Sequence, residues 1–396
     1  MKTKAALALI IIVDLLFLLY GVHTLSISSH EAQIFFEGKG FLHYLVTAST
    51  KLFGQNDYAL RVPFILFHLL SIILMYNISK FYLKRDEDRL LSVLLFVLLP
   101  GVVSSALLVN SASVVIFFTL LFIYLFLRKK EIWYMLLLPW LLFIDNSFII
   151  LYFSLVAYGL YAKNRLIMIV SSILFLLGLY MYGFAVTGKP RGYFLDTFAA
   201  YALVFSPLLF LYFFYTMYRI LVREKKSILW VISFTALIVS ILLSFRQRII
   251  IEDFAPFVVV SIPLMVQIFA KSYRTRLPEL RRSHNILFVL VFSFLMFNFY
   301  ATYLNQFFYR FIENPQKHFA YKYHVAYELA QKLQSLGVND VHVEDRQMQM
   351  RLNFYGIEEG DSYIVSESAP YHDSQSVTIS YMNKPIISYS VSKLNK

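Results

Sequence analysis

Five residues within a stretch of eleven, Ser29, His30, Glu31, Glu37 and Lys39, bring together groups that can move a proton and hold an anion. A carboxylate is able to take the proton of a hydroxyl as that hydroxyl attacks, and a lysine can neutralise a phosphate. Glu31 is the candidate base. His30 takes a supporting place, because adjacent residues point apart on a helix or a strand. The same five residues also read as a plain solvated loop. A second group, Arg246, Arg248, Glu252 and Asp253, gathers both signs beside an apolar run, as an interfacial ion cluster or as part of an anion site. Asp145 beside Asn146 marks a turn between two apolar runs or lines a cavity. Asp14 lies inside an apolar run, where an ionisable group is costly, and reads as one half of an internal pair. His318, His324, His342 and His372 lack metal-ligand spacing, so no metal site is named and a divalent cation stays open as a cofactor.

The elements that must position these residues are membrane helices. Of the 396 residues 59% are hydrophobic and only 15% charged, where a soluble domain is nearer to about 25% charged. The apolar runs are long and continuous, enough to cross a hydrocarbon core of about 30 Å. In lipid only helices and closed barrels satisfy their own backbone hydrogen bonds, and continuous rather than alternating apolar runs select helices. Eleven spans are expected, at roughly 5–25, 63–83, 90–109, 113–128, 132–145, 147–162, 166–186, 201–221, 227–245, 254–270 and 285–305. The fifth and sixth are the least separated, and could form one long helix through Asp145-Asn146. The N-terminal run is too long for a signal peptide and has no small-residue cleavage site after it, so it is expected to stay as the first span.

The net charge of +12 is distributed as an insertion signal, not as a phosphate-binding stripe. With the N-terminus in the cytoplasm, the inner segments carry 20 Lys and Arg, and the outer ones carry 7: Lys39, Lys51, Arg61, Lys189, Arg191, Arg246 and Arg248. That asymmetry fixes the orientation and leaves the tail outside. Residues 306–396 hold nine Lys and Arg against ten Asp and Glu, so the tail is near neutral and nucleic acid is not a partner. No cysteine is present, which excludes disulfides and thiolate metal sites. In the first outer loop, Phe41 to Phe53 mixes apolar and polar positions at helical spacing and predicts an interfacial helix broken by Gly54-Gln-Asn-Asp57. In the tail, Val325, Leu329, Leu333 and Leu336 predict a helix stopped by Gly337. Strands are expected at 338–343 and around 363–365, 377–380 and 386–391. The fold class is therefore an all-α polytopic membrane domain, residues 1–305, followed by a small α/β extracytoplasmic domain, residues 306–396.

The stretch His30-Glu-Ala-Gln-Ile-Phe-Phe36, then Lys39 through Tyr44, then Lys51-Leu-Phe-Gly-Gln-Asn-Asp-Tyr-Ala-Leu-Arg-Val-Pro63, resembles the N-terminal signature of the GT-C membrane glycosyltransferases. The likeness is to the family 39 and aminoarabinose-transferase-like members. It is strongest at Leu52, Phe53, Gly54, Ala59, Arg61 and Pro63, and Asn353-Phe-Tyr355 is similar to a piece of their tails. The resemblance implies a transferase that takes a sugar from a polyprenyl-phosphate carrier at the outer face of a bacterial inner membrane. The acceptor is a lipid, protein or glycan, and transfer inverts the anomeric carbon. It also implies an acidic first-loop residue as base, onto which Glu31 maps as the Glu of an Asp-Glu pair. Lys39 and Arg61 map onto basic residues that hold the carrier phosphate, and Arg246 and Arg248 are similar to the basic start of a late span.

The departures from the family pattern are specific. His30 stands where relatives carry Asp, Gly40 and Phe41 replace prolines, and the loop between Glu31 and Lys39 is short. Asn110-Ser-Ala-Ser113 has no acid where relatives place a second one. Glu31 then works alone or with His30, or the chain is a non-catalytic GT-C-like subunit. A lipid-carrier transporter or flippase is the other alternative, although no internal repeat of the kind such proteins often show is visible.

Overall fold

The structure is a computed structural model that describes residues 2–183, 192–367 and 375–393. Lys189, Arg191 and His372 lie outside the described residues. Elements follow in chain order as α1 (Lys2–His23), α2 (Ser29–Glu37), α3 (Phe41–Phe53), α4 (Asp57–Tyr82), α5 (Asp86–Leu98) and α6 (Pro100–Leu107). Next come α7 (Ala112–Leu127), α8 (Glu131–Leu141), α9 (Phe148–Ala162), α10 (Arg165–Tyr182), α11 (Phe194–Phe205) and α12 (Pro207–Arg223). The remaining helices are α13 (Ile228–Ser244), α14 (Ala255–Val259), α15 (Ile262–Thr275), α16 (Arg281–Tyr303), α17 (Ala326–Ser335) and α18 (Arg346–Phe354). Strands β1 (Asp340–Val343), β2 (Glu358–Ser366), β3 (Gln375–Tyr381) and β4 (Lys384–Lys393) complete the chain.

The described residues divide into two compact units, one of 1–15, 64–106 and 110–300, the other of 16–63, 107–109 and 301–396. The first unit is helical and apolar. Among the described residues five helical segments, α1, α4, α10, α14 with α15, and α16, are long and apolar enough to cross a membrane. Two pairs, α5 with α6 and α11 with α12, pass the same test together but bend by 60° and 104°. Residues 90–109 and 201–221 are therefore not the straight spans their composition predicts. Proline is the cause at both bends, because it has no N–H to continue the helical ladder. Pro100 opens α6, and Pro207 opens α12 after Ser206 adopts a left-handed φ of 72°. Helices α7, α8, α9 and α13 are apolar but shorter. Residues 131–162 form two helices, with the break at Asp145, whose Oδ1 accepts from the Ser147 N–H at 2.9 Å. Asp14 is buried and its Oδ2 lies 2.8 Å from Nε2 of His68, which supplies the internal partner its position calls for. The His68 ring stacks on Phe96.

The second unit holds the first loop and the tail. Helix α3 occupies the predicted 41–53, and Gly54 ends it at φ +84°, a conformation open chiefly to glycine. Two elements differ from expectation. The stretch 29–37 is helical, and α4 starts at Asp57 instead of Pro63, which places Asp57 and Arg61 one turn apart on the same helix. In the tail the sheet order is β1-β2-β4-β3, with β1 parallel to β2 and the other pairs antiparallel. Met382 and Asn383, both with positive φ, turn β3 into β4 as the two-residue hairpins of twisted sheets require. Leu329, Leu333, Val341, Leu352, Ile357, Val365 and Ile379 make one core between α17, α18 and the sheet.

Candidate active site

Helix α2 exists because of a reciprocal cap. The Ser28 hydroxyl accepts from the Glu31 N–H, and Glu31 Oε2 accepts from the Ser28 N–H at 2.8 Å, so two N–H groups of the first turn are satisfied at once. The same Oε2 lies 3.3 Å from Nη2 of Arg61, and Oε1 accepts from the Val109 N–H at 3.0 Å. Glu31 is 1% exposed and Arg61 0%. Arg61 also donates to the carbonyls of Leu25 and Ser26 and to Asp57 at 3.0 Å. A carboxylate with both oxygens engaged this way ties the first turn of α2 to Arg61 and to the Val109 backbone. The expected base is thus held by Arg61 and two backbone N–H groups. Arg61, expected to hold a carrier phosphate, is likewise enclosed, with both terminal nitrogens committed to protein oxygens.

The tail contributes to this network within the same unit. Tyr355 donates to Asp57 at 2.9 Å and accepts from the Ile27 N–H at 2.8 Å. Burial, and then the charge of Asp57, push the Tyr355 hydroxyl far above the usual phenol range, so it stays a donor. Arg351 donates to the Ile27 and His324 carbonyls at 2.8 and 2.6 Å. Burial drives His324 down to about 3, which keeps that ring neutral. Arg351, Tyr355 and Asp57 were absent from the residues chosen by sequence. Arg351 lies on α18 and Tyr355 caps its C-terminal end four residues on, within the Asn353-Phe-Tyr355 likeness, which was the available signal.

His30 differs in every respect. It sits in the first turn of α2 with its side chain exposed, and no hydrogen bond or ion pair engages it among the described residues. Lys39 is exposed and without an ion pair there as well, whereas Glu37 pairs with Arg346 at the surface.

In the first unit, Arg246 and Arg248 are exposed on the segment after α13, and Glu252 is exposed in the short helical turn 251–253. Asp253 ends the same short helical turn. Burial, then Asp145 and Glu252, push its carboxyl up to about 7. Asp145 is half-buried in the turn between α8 and α9, and its charge is felt at Asp253, so these carboxyls form one acidic locus. Among the described residues no group of three or more His, Asp or Glu is arranged to hold a metal ion.

Apolar helices in series, two of the pairs sharply bent, a capped first-loop helix and a small C-terminal sheet make this a multi-pass membrane protein with the fold of the GT-C glycosyltransferases. The crystal structure of ArnT from Cupriavidus metallidurans in the apo state matches with a TM-score of 0.56 over 99% of this chain and 98% of that one, at 11% identity. The sequence model of the family described as dolichyl-phosphate-mannose-protein mannosyltransferase matches residues 41–210. That segment takes in Arg61 and Asp145 and leaves His30, Glu31, Lys39, Arg246, Arg248 and Glu252 outside. No curated protein matches the chain in sequence.

Proposed function

We propose that this protein is a glycosyltransferase of a bacterial inner membrane that takes its sugar from a polyprenyl-phosphate carrier at the outer face. The observation that supports this most is the pairing of a GT-C fold over the whole chain with a family match that reaches from α3 to the start of α12. In this reading the five long segments, the two bent pairs and the four shorter apolar helices described each cross the membrane, an odd number that would put the N-terminus inside and the tail outside.

In this reading the exposed His30 is the general base, carried on the first turn of α2 that Glu31 caps. The His30 imidazole takes the proton of an acceptor hydroxyl as that oxygen attacks the anomeric carbon from the face opposite the phosphate. The bond from that carbon to the phosphate oxygen breaks, polyprenyl phosphate leaves with the electron pair, and the anomeric centre inverts. Imidazole is the side chain most often used for this kind of proton transfer. Lys39, exposed in the same unit as His30, is a candidate to hold the carrier phosphate, and Arg246 and Arg248, exposed in the other unit, are separate candidates. Glu252 and Asp145 remain substrate-side candidates through the acidic locus they share with Asp253. The test is transfer by the purified full chain from a polyprenyl-phosphate sugar, with the anomeric configuration of the product read by NMR. The expected result is release of polyprenyl phosphate with inversion, and weaker carrier binding when Arg246 and Arg248 are both changed to Ala. Carrier binding without turnover for any donor supports the non-catalytic GT-C-like subunit instead.

A further inference from the structure

Within the first unit, α5, α12, α15 and α16 enclose a cleft of about 560 Å³ that the glycosyltransferase reading does not use. Its volume falls in the range of roughly 300–1,000 Å³ typical of small-ligand sites. Its walls are almost wholly apolar, with Leu95, Leu209, Met265, Phe269, Leu287 and Phe292 among them. The polar lining gathers at one end, where the last turns of α15 and the first turn of α16 bring Ser272, Arg276, Ser283 and His284. The lining on α16 then runs inward from His284 to Phe292, about 12 Å at the helical rise. A long apolar slot with a cationic mouth has the pattern of an amphiphile.

Two observations at the mouth point to an anion. The guanidinium of Arg276 is exposed and takes part in no hydrogen bond or ion pair among the described residues, unlike Arg274, which is held by both oxygens of Asp88. Nε2 of His284 is buried without a hydrogen-bond partner, while its ring stacks on Phe269 at 5.1 Å. An orphaned buried ring nitrogen beside an unpaired cation is a costly arrangement unless a ligand supplies the missing acceptor. The surrounding segment carries Lys271, Arg274, Arg276, Arg281 and Arg282, so the mouth opens within the most basic loop of the chain.

We propose that this cleft is a binding site for an anionic phospholipid of the cytoplasmic leaflet, one acyl chain lying between α12 and α16 and the phosphate resting on Arg276 and His284. Basic pockets between membrane helices on the cytoplasmic side bind anionic headgroups in this way. The site is independent of the transfer chemistry, because none of its residues belongs to the proposed catalytic or carrier-holding set.

The test is native mass spectrometry of the purified full chain titrated in turn with phosphatidylglycerol, phosphatidylcholine of the same acyl composition and polyprenyl phosphate. One phosphatidylglycerol should be held more tightly than phosphatidylcholine, and Arg276→Gln should weaken it by roughly five- to tenfold. Arg276 is exposed, so this variant is expected to fold. His284→Ala should weaken the same lipid, and Leu95→Trp should obstruct the slot for either phospholipid. Equal retention of the two phospholipids, or unchanged phosphatidylglycerol binding in Arg276→Gln, overturns the proposal. One-for-one displacement of phosphatidylglycerol by polyprenyl phosphate at lower concentration also overturns it, by assigning the cleft to the carrier.

Discussion

Glu31 and His30 are neighbours in sequence with opposite surroundings, one enclosed by Arg61 and two backbone N–H groups, the other exposed on the same first turn. Residue types mark this stretch as one able to carry proton chemistry. They could not show which of the two faces the solvent, because that depends on partners 30 and 78 positions away. Asp14 was legible in part: its depth in an apolar run called for a partner, but only folding identifies His68. Asp253 illustrates the reverse case, an ordinary aspartate in sequence whose carboxyl is pushed up to about 7 by burial, Asp145 and Glu252. An acid raised on folding keeps its proton in the native state where the unfolded chain has lost it, so stability falls as pH rises from about 4 to about 7. Asp253→Asn should remove that slope, raising the unfolding temperature relative to the unmodified protein at pH 8 and leaving no advantage at pH 4. Thermal unfolding in detergent at the two pH values checks it, and parallel curves for both proteins would speak against a raised Asp253.

Element by element, periodicity was enough where one face is buried and one is wet. Helix α3, α17 and all four tail strands lie where their patterns predict them. Helix α2 was missed because it is only nine residues long, although Ser28 and Glu31, three apart, carry the sequence form of a capping box. The start of α4 was missed because Pro63 suits a first helical turn, and nothing local reveals that Asp57 and Arg61 belong to the same helix. Hydropathy also cannot see a bend, so the breaks at Pro100 and Pro207 passed as continuous spans. The tie between α2 and α4 has a measurable strength. Removing one partner of a buried ion pair typically costs about 3–5 kcal/mol, so Glu31→Ala should destabilise the fold by that order, through Arg61 left without its partner and the loss of the α2 cap. Denaturant unfolding in detergent would read it, and a change below about 1 kcal/mol, the scale of an exposed pair, would contradict the buried geometry.

At the scale of the whole molecule, the composition, the alternation of basic loops and the near-neutral tail point to a membrane protein with a soluble C-terminal domain, and the fold agrees with the GT-C resemblance carried by Leu52 to Pro63. The orientation has its own test. A reporter active only outside the cytoplasm should work when fused after Lys396 and stay silent when fused after Lys130, and the reverse pattern would invert the topology. The central claim is that first-loop proton transfer runs through His30 while Glu31 holds the frame. The direct measurement is the rate of sugar transfer from a polyprenyl-phosphate donor by purified, folded His30→Ala and His30→Asp proteins beside the unmodified one. General-base contributions run at about 10²–10⁴-fold, so His30→Ala should lose that much turnover with carrier binding retained. His30→Asp should recover part of it. Undiminished transfer by His30→Ala would contradict the account and move the base to another group.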